Sequence, residues 1–118
     1  MSTEATGVSV HGTVTIAPEN LPKFMEAFQP LYDQVAAEPE CTFFEVFQQP
    51  DNPGVISWVE NWTRPAEWLM QNQLPKDYYR SYFAVTEAMY VKPREIRIFK
   101  RLGAPFVMTK RGNGGWQE

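Results

Sequence analysis

Residues 42–48 (TFFEVFQ) and 55–62 (VISWVENW) constrain this chain more than any other feature. Both are rich in β-branched and aromatic residues, and only a short stretch containing Pro50-Asp51-Asn52-Pro53-Gly54 separates them. Turn-forming residues between two strand-like runs predict an antiparallel hairpin. Side chains alternate across a strand, so Phe43 and Phe47 fall on one face and Phe44 and Val46 on the other. A sheet carrying large apolar groups on both faces needs cover on both.

The flanking segments supply the rest of one unit. Val8, Val10, Val14 and Ile16 alternate with Ser9, His11, Thr13 and Thr15, which predicts a first strand over 8–16. After Asn20, Leu21, Phe24, Phe28, Leu31 and Val35 recur at helical spacing, with Pro22 tolerated in the first turn, and predict a helix to about Ala37. Beyond the hairpin, Thr63 can cap a short helix over 66–73, Leu74-Pro75 interrupts it, and a second helix runs over 76–90. Glu95 to Leu102 reads as strand four, with Ile96 and Ile98 on one side and Arg97 and Arg101 on the other. The order β-α-β-β-α-β predicts an α+β, ferredoxin-like split sheet whose crossovers lie on one face. The remaining face is then expected to pack on the sheet of a second copy, giving a homodimer. Residues 1–7 are expected to be a flexible start, 8–102 the domain, and 103–118 an irregular arm.

Composition excludes several classes. At 118 residues there is room for one core. No apolar run approaches the roughly 20 residues of a membrane span, and residues 1–7 lack signal-peptide character, so a cytoplasmic protein is expected. With Cys41 and His11 the only residues of their kinds, neither a disulfide, a dedicated transition-metal site nor a Ser-His-Asp or Cys-His pair is expected. Residues 1–91 hold 4 basic and 12 acidic side chains, net −8, while 92–118 hold 7 and 2, net +5. Four of the late basic residues alternate with apolar ones as on a strand's solvent face, which argues against nucleic acid.

Aromatics make up 14% of the chain, enough to line a cavity or an interface as well as a core. Ile56, Trp58, Glu60 and Trp62 share one face of strand three. A carboxylate between indoles loses hydration, so Glu60 is either a base with a raised pKa or a structural partner of Arg80 or a neighbouring strand. Trp68 either completes an aromatic wall with Trp62 or belongs to the core. Tyr78, Tyr79, Arg80, Tyr82, Phe83 and Tyr90 give the last helix phenol and guanidinium groups able to hold ligand oxygens. His11 is either a lone base or a hydrogen-bonded structural residue among threonines.

Over residues 8–102 the chain resembles the antibiotic biosynthesis monooxygenase family of dimeric α/β barrels. The residues that carry the likeness are the opening strand, Phe24 and Phe28, Glu38-Pro39-Glu40-Cys41, and Glu60-Asn61-Trp62 before a short helix. The resemblance implies a homodimeric enzyme of secondary metabolism that oxidises an aromatic, phenolic or polyketide-like substrate with O2 and no cofactor. It implies that Trp62 and Arg80 face the substrate, with Trp58 standing where relatives carry an Asn. The haem-degrading branch is disfavoured, because strand one offers Gly12 or Thr13 in place of Asn and no His follows residue 11. The candidate catalytic residues are therefore Trp62, Arg80, Glu60 and His11, and the candidate binding residues Trp58, Trp68, Tyr79, Tyr82 and Phe83. Non-oxidative polyketide chemistry or simple ligand binding on the same fold remain open alternatives.

Overall fold

The aromatic hairpin forms. In the computed structural model, which describes residues 7–110, β2 (Cys41–Gln49) and β3 (Asn52–Trp62) pair antiparallel. The expected flexible start up to residue 6 and the end of the arm, 111–118, lie outside the described residues. β3 begins three residues before the expected Val55, because Gln48 Nε2 donates to the Pro53 carbonyl at 2.9 Å and the Ile16 N–H to that of Gly54 at 2.8 Å. A Cβ on Gly54 would collide with the Ile16 carbonyl, so that close approach requires glycine.

β1 (Val8–Thr15) lies between β3 and β4 (Glu95–Lys100), giving an antiparallel sheet in the order β2-β3-β1-β4. This is the ferredoxin-like α+β fold expected from the sequence. The register sets Val10 opposite Glu60 and Gly12 opposite Trp58. Near Thr42 the β2–β3 register shifts, so Cys41 pairs with Trp62 and Phe44 with Glu60.

The first crossover is α1 (Leu21–Ala36), which turns Phe24, Phe28, Leu31 and Val35 inward. The helix runs through Pro30, whose missing N–H and ring clash cost about 3 kcal/mol in a helix interior. Pro30 is exposed while Phe28 and Leu31 on either side are buried, and their packing offsets that cost.

The second crossover departs from the expected pair of helices. α2 (Ala66–Trp68) passes into a π turn, Leu69–Gln73, closed by the Leu74 N–H on the Leu69 carbonyl at 2.9 Å. Pro65 rather than Thr63 occupies the cap position of α2. α3 (Asp77–Thr86) stops short of Tyr90 and ends in a 3-10 turn, Glu87–Met89. Tyr90 instead forms a bridge to Ile16.

α1 and α3 meet on one face of the sheet, where the Phe24 and Phe28 rings lie 6.3 and 6.0 Å from Tyr82. Val14, Ile16, Ile56 and Trp62 from the strands close the core beneath them. The opposite face carries His11, Thr13, Ser57, Phe47 and Phe99. Phe47 and Phe99 are 44% and 45% exposed. Past β4 the chain is irregular to residue 110, with Phe106 and Met108 exposed. No helix among the described residues is long and apolar enough to cross a membrane.

Candidate active site

A cavity of about 250 Å³ opens between the helix-covered face of the sheet and the second crossover. Three strands supply its floor: Val10 from β1, Trp58, Glu60 and Trp62 from β3, and Ile96 and Ile98 from β4. α1 and β2 contribute Phe28, Leu31 and Phe44, while Tyr79, Tyr82 and Phe83 of α3 form the opposite wall. The π turn closes one side with Leu69, Met70 and Gln73. The lining is overwhelmingly apolar and aromatic, with a few polar groups, as small-molecule pockets are.

Glu60 is the carboxylate of this cavity. Side chains two apart on a strand point the same way, and the Trp62 indole Nε1–H donates to Glu60 Oε1 at 2.8 Å. Burial pushes the Glu60 carboxyl above the usual carboxylate range, with the Trp62 bond and the neighbouring Trp58 indole working against it. No basic side chain forms an ion pair with Glu60 among the described residues, so it is not the partner of Arg80 that its position near aromatics allowed. Burial also raises the Tyr79 hydroxyl, offset by its bond from Gln73 and reinforced by the charge of Glu60, which places the phenol in the carboxylate's field.

The sequence candidates divide between cavity and exterior. Trp58, Glu60, Trp62, Tyr79, Tyr82 and Phe83 come together around one space. His11 does not join them. It lies behind the sheet, hydrogen bonded to Ser9 at 2.9 Å with its ring 4.6 Å from Phe99. Arg80 points away into solvent, paired with Asp77 at 3.0 Å, because one helical residue beyond Tyr79 turns about 100° from the wall. Trp68 is partly buried outside the cavity lining, beneath the Arg64 guanidinium at 5.3 Å.

Two polar residues enter the cavity unforeseen. Arg94 stacks over Phe83 at 4.3 Å and pairs with Glu87 at 3.1 Å. It stands one residue before β4, which begins at the expected Glu95. Gln73, fully buried, donates from Nε2 to the hydroxyls of Tyr78 at 2.6 Å and Tyr79 at 3.0 Å. Its helical phase could not be read, since a π turn obeys neither period used to read sequences. Burial raises the Cys41 thiol to about 11, which keeps it protonated and unsuited to nucleophilic attack. Among the described residues no group of three or more His, Cys, Asp or Glu is placed to hold a metal ion.

Residues 7–75 match the model of a family described as "Antibiotic biosynthesis monooxygenase". The chain belongs to the antibiotic biosynthesis monooxygenase family. It is 37% identical over 95 residues to a protein named "Putative monooxygenase GME11364" from Pestalotiopsis microspora, covering 80% of this chain and 79% of that one. A solved structure described as an antibiotic biosynthesis monooxygenase superposes with a TM-score of 0.72 at 16% identity, covering 80% of this chain and 98% of that one. A conserved protein from Methanosarcina mazei Go1 gives 0.72 at 22% identity, covering 80% and 91%. These two structures share the fold of this chain.

Proposed function

We propose that this family member is a homodimeric monooxygenase that oxidises a flat, phenolic or polyketide-like aromatic with O2 in the cavity, drawing on no flavin, haem or metal. The observation that carries the reading is Glu60: a carboxylate buried among indoles and phenols, with no cationic partner among the described residues and its pKa raised by that burial. Such a group accepts a proton more readily than an exposed glutamate. The family's name and that of the relative in Pestalotiopsis microspora support oxidation as the reaction type.

In this reading a substrate of anthrone or hydroquinone type loads its rings between Trp58, Trp62 and the α3 wall. For an anthrone, Glu60 removes the acidic C–H proton. The enolate passes one electron to O2, leaving a substrate radical and superoxide, and their combination forms a C–O bond. Proton return gives a hydroperoxide, which loses water to leave the quinone carbonyl. The chain's own contribution is proton transfer, hydrogen-bond donors for the anion, and exclusion of water.

The same reading assigns the uncovered sheet face to a second copy. Phe47 and Phe99, nearly half exposed on that face, support it, as do the partly buried Phe43, Val55 and Val59.

Oxygen uptake with a panel of anthrones and hydroquinones tests the reaction, with Glu60→Gln as comparison. Saturable uptake that collapses in the variant is expected. Absence of uptake above background overturns the oxidation, and turnover under argon would assign non-oxidative chemistry to the cavity.

A further inference from the structure

The direction of every hydrogen bond between Lys76 and the cavity is fixed by proton counting. Lys76 Nζ donates to Glu38 Oε2 at 2.8 Å, and Tyr78 donates its hydroxyl proton to the same oxygen at 2.6 Å. These donors hold the Glu38 carboxyl below its usual range, so it is an acceptor only. A phenol has one proton, and Tyr78 has given it to Glu38. Toward Gln73, 2.6 Å away, Tyr78 can therefore only accept, and the Gln73 atom facing it must be the amide nitrogen. The same nitrogen serves Tyr79 at 3.0 Å, which commits both amide protons.

The Gln73 carboxamide oxygen is what remains. It is buried and has no hydrogen-bond partner among the described residues, in a side chain that lines the cavity. Buried acceptors are almost always paired, so an orphan in a cavity wall marks a place reserved for a donor. Met70 and Leu74, which border the cavity beside it, are 59% and 53% exposed, and such long side chains can move aside as a ligand enters.

We propose that Gln73 selects the ligand, its carboxamide oxygen accepting the O–H of a phenol or enol bound in the cavity, with Lys76, Glu38 and Tyr78 acting as positioning residues that fix the amide's polarity. This rests on the cavity being the substrate site and narrows the substrate class to molecules bearing a hydroxyl donor, ring-hydroxylated anthrones among them; ethers of the same shape bind worse. Tyr78 does not line the cavity; its hydroxyl acts there through Gln73, while its ring packs on the cavity residue Tyr79 at 4.9 Å.

The test compares 2-naphthol with 2-methoxynaphthalene by calorimetric titration of wild type, Gln73→Met and Tyr78→Phe, each checked for a native circular dichroism spectrum. Wild type is expected to favour the naphthol by about tenfold or more, the usual consequence of leaving a buried acceptor unmet. Gln73→Met should bring the two ligands within about twofold, and Tyr78→Phe should narrow the ratio by releasing the amide to rotate. Comparing ratios between wild type and variant cancels the bulk of the added methyl and any contribution from Glu60. An unchanged ratio in a folded Gln73→Met protein overturns the proposal. Equal binding of both probes by wild type overturns it too, while leaving the cavity a ligand site. Failure of wild type to bind either removes both readings together.

Discussion

The Trp62 indole nitrogen lies 2.8 Å from the Glu60 carboxylate, a donor and an acceptor two residues apart on one strand and both lining the same cavity. The bond supplies partial compensation for a carboxylate that burial disfavours.

Glu60→Gln should therefore trade activity for stability. Because burial raises the folded-state pKa of Glu60 above its unfolded value, the native state binds the extra proton between the two values, and stability falls as pH rises through the folded pKa. At neutral pH the variant should melt at a higher temperature than wild type, and the gap should close below about pH 4, where both states are protonated. Turnover should drop by about 10²–10⁴-fold, the usual worth of a general base. Thermal melts across pH, paired with oxygen uptake, read both effects.

Trp62→Phe removes the donor that opposes the upward shift. The acid limb of the kcat/KM profile should move to higher pH than in wild type. Loss of a nearly fully buried indole should also cost about 1–3 kcal/mol in urea unfolding.

The two arginines should separate cleanly. Arg80→Ala breaks only an exposed pair with Asp77 and should change stability by less than about 0.5 kcal/mol and leave turnover unaltered. Arg94→Ala removes the cation over Phe83, worth about 0.5–1 kcal/mol, and should raise KM by loosening that wall. Steady-state kinetics of the two variants side by side checks this.

Gly12→Ala should damage the cavity from beneath. A Cβ at position 12 would collide with the Trp58 indole, which lies across the neighbouring strand. Displacing it should cost about 1–3 kcal/mol and weaken aromatic ligands, measured by unfolding and titration.

Phe99→Asp places a charge on the sheet face assigned to a second copy. Sedimentation should show a dimer for wild type and a monomer for the variant, with the helix-side cavity residues untouched.

Local periodicity made much of this legible. Strict alternation placed Trp58, Glu60 and Trp62 on one face, and helical spacing gave the buried side of α1. What was lost depends on long-range geometry. Only the pairing of Val10 with Glu60 reveals that His11 lies behind the sheet. Only the phase of α3 reveals that Arg80 leaves the wall while Tyr79 stays. Arg94 stood among seven basic residues over 92–118, and its place over Phe83 depends on the path of the chain between α3 and β4.

The wide turn at Leu69–Gln73 holds one residue more than an α-helix needs to join the same two ends. Deleting one residue between Met70 and Asn72 would let the segment rewind as α-helix while the Leu69 carbonyl keeps the same N–H, so Leu69 and Gln73 would both stay at the wall. The same loss inside α3 would turn every following side chain by about 100°. Relatives of this protein can thus shed or regain a codon in this one turn without redrawing the pocket.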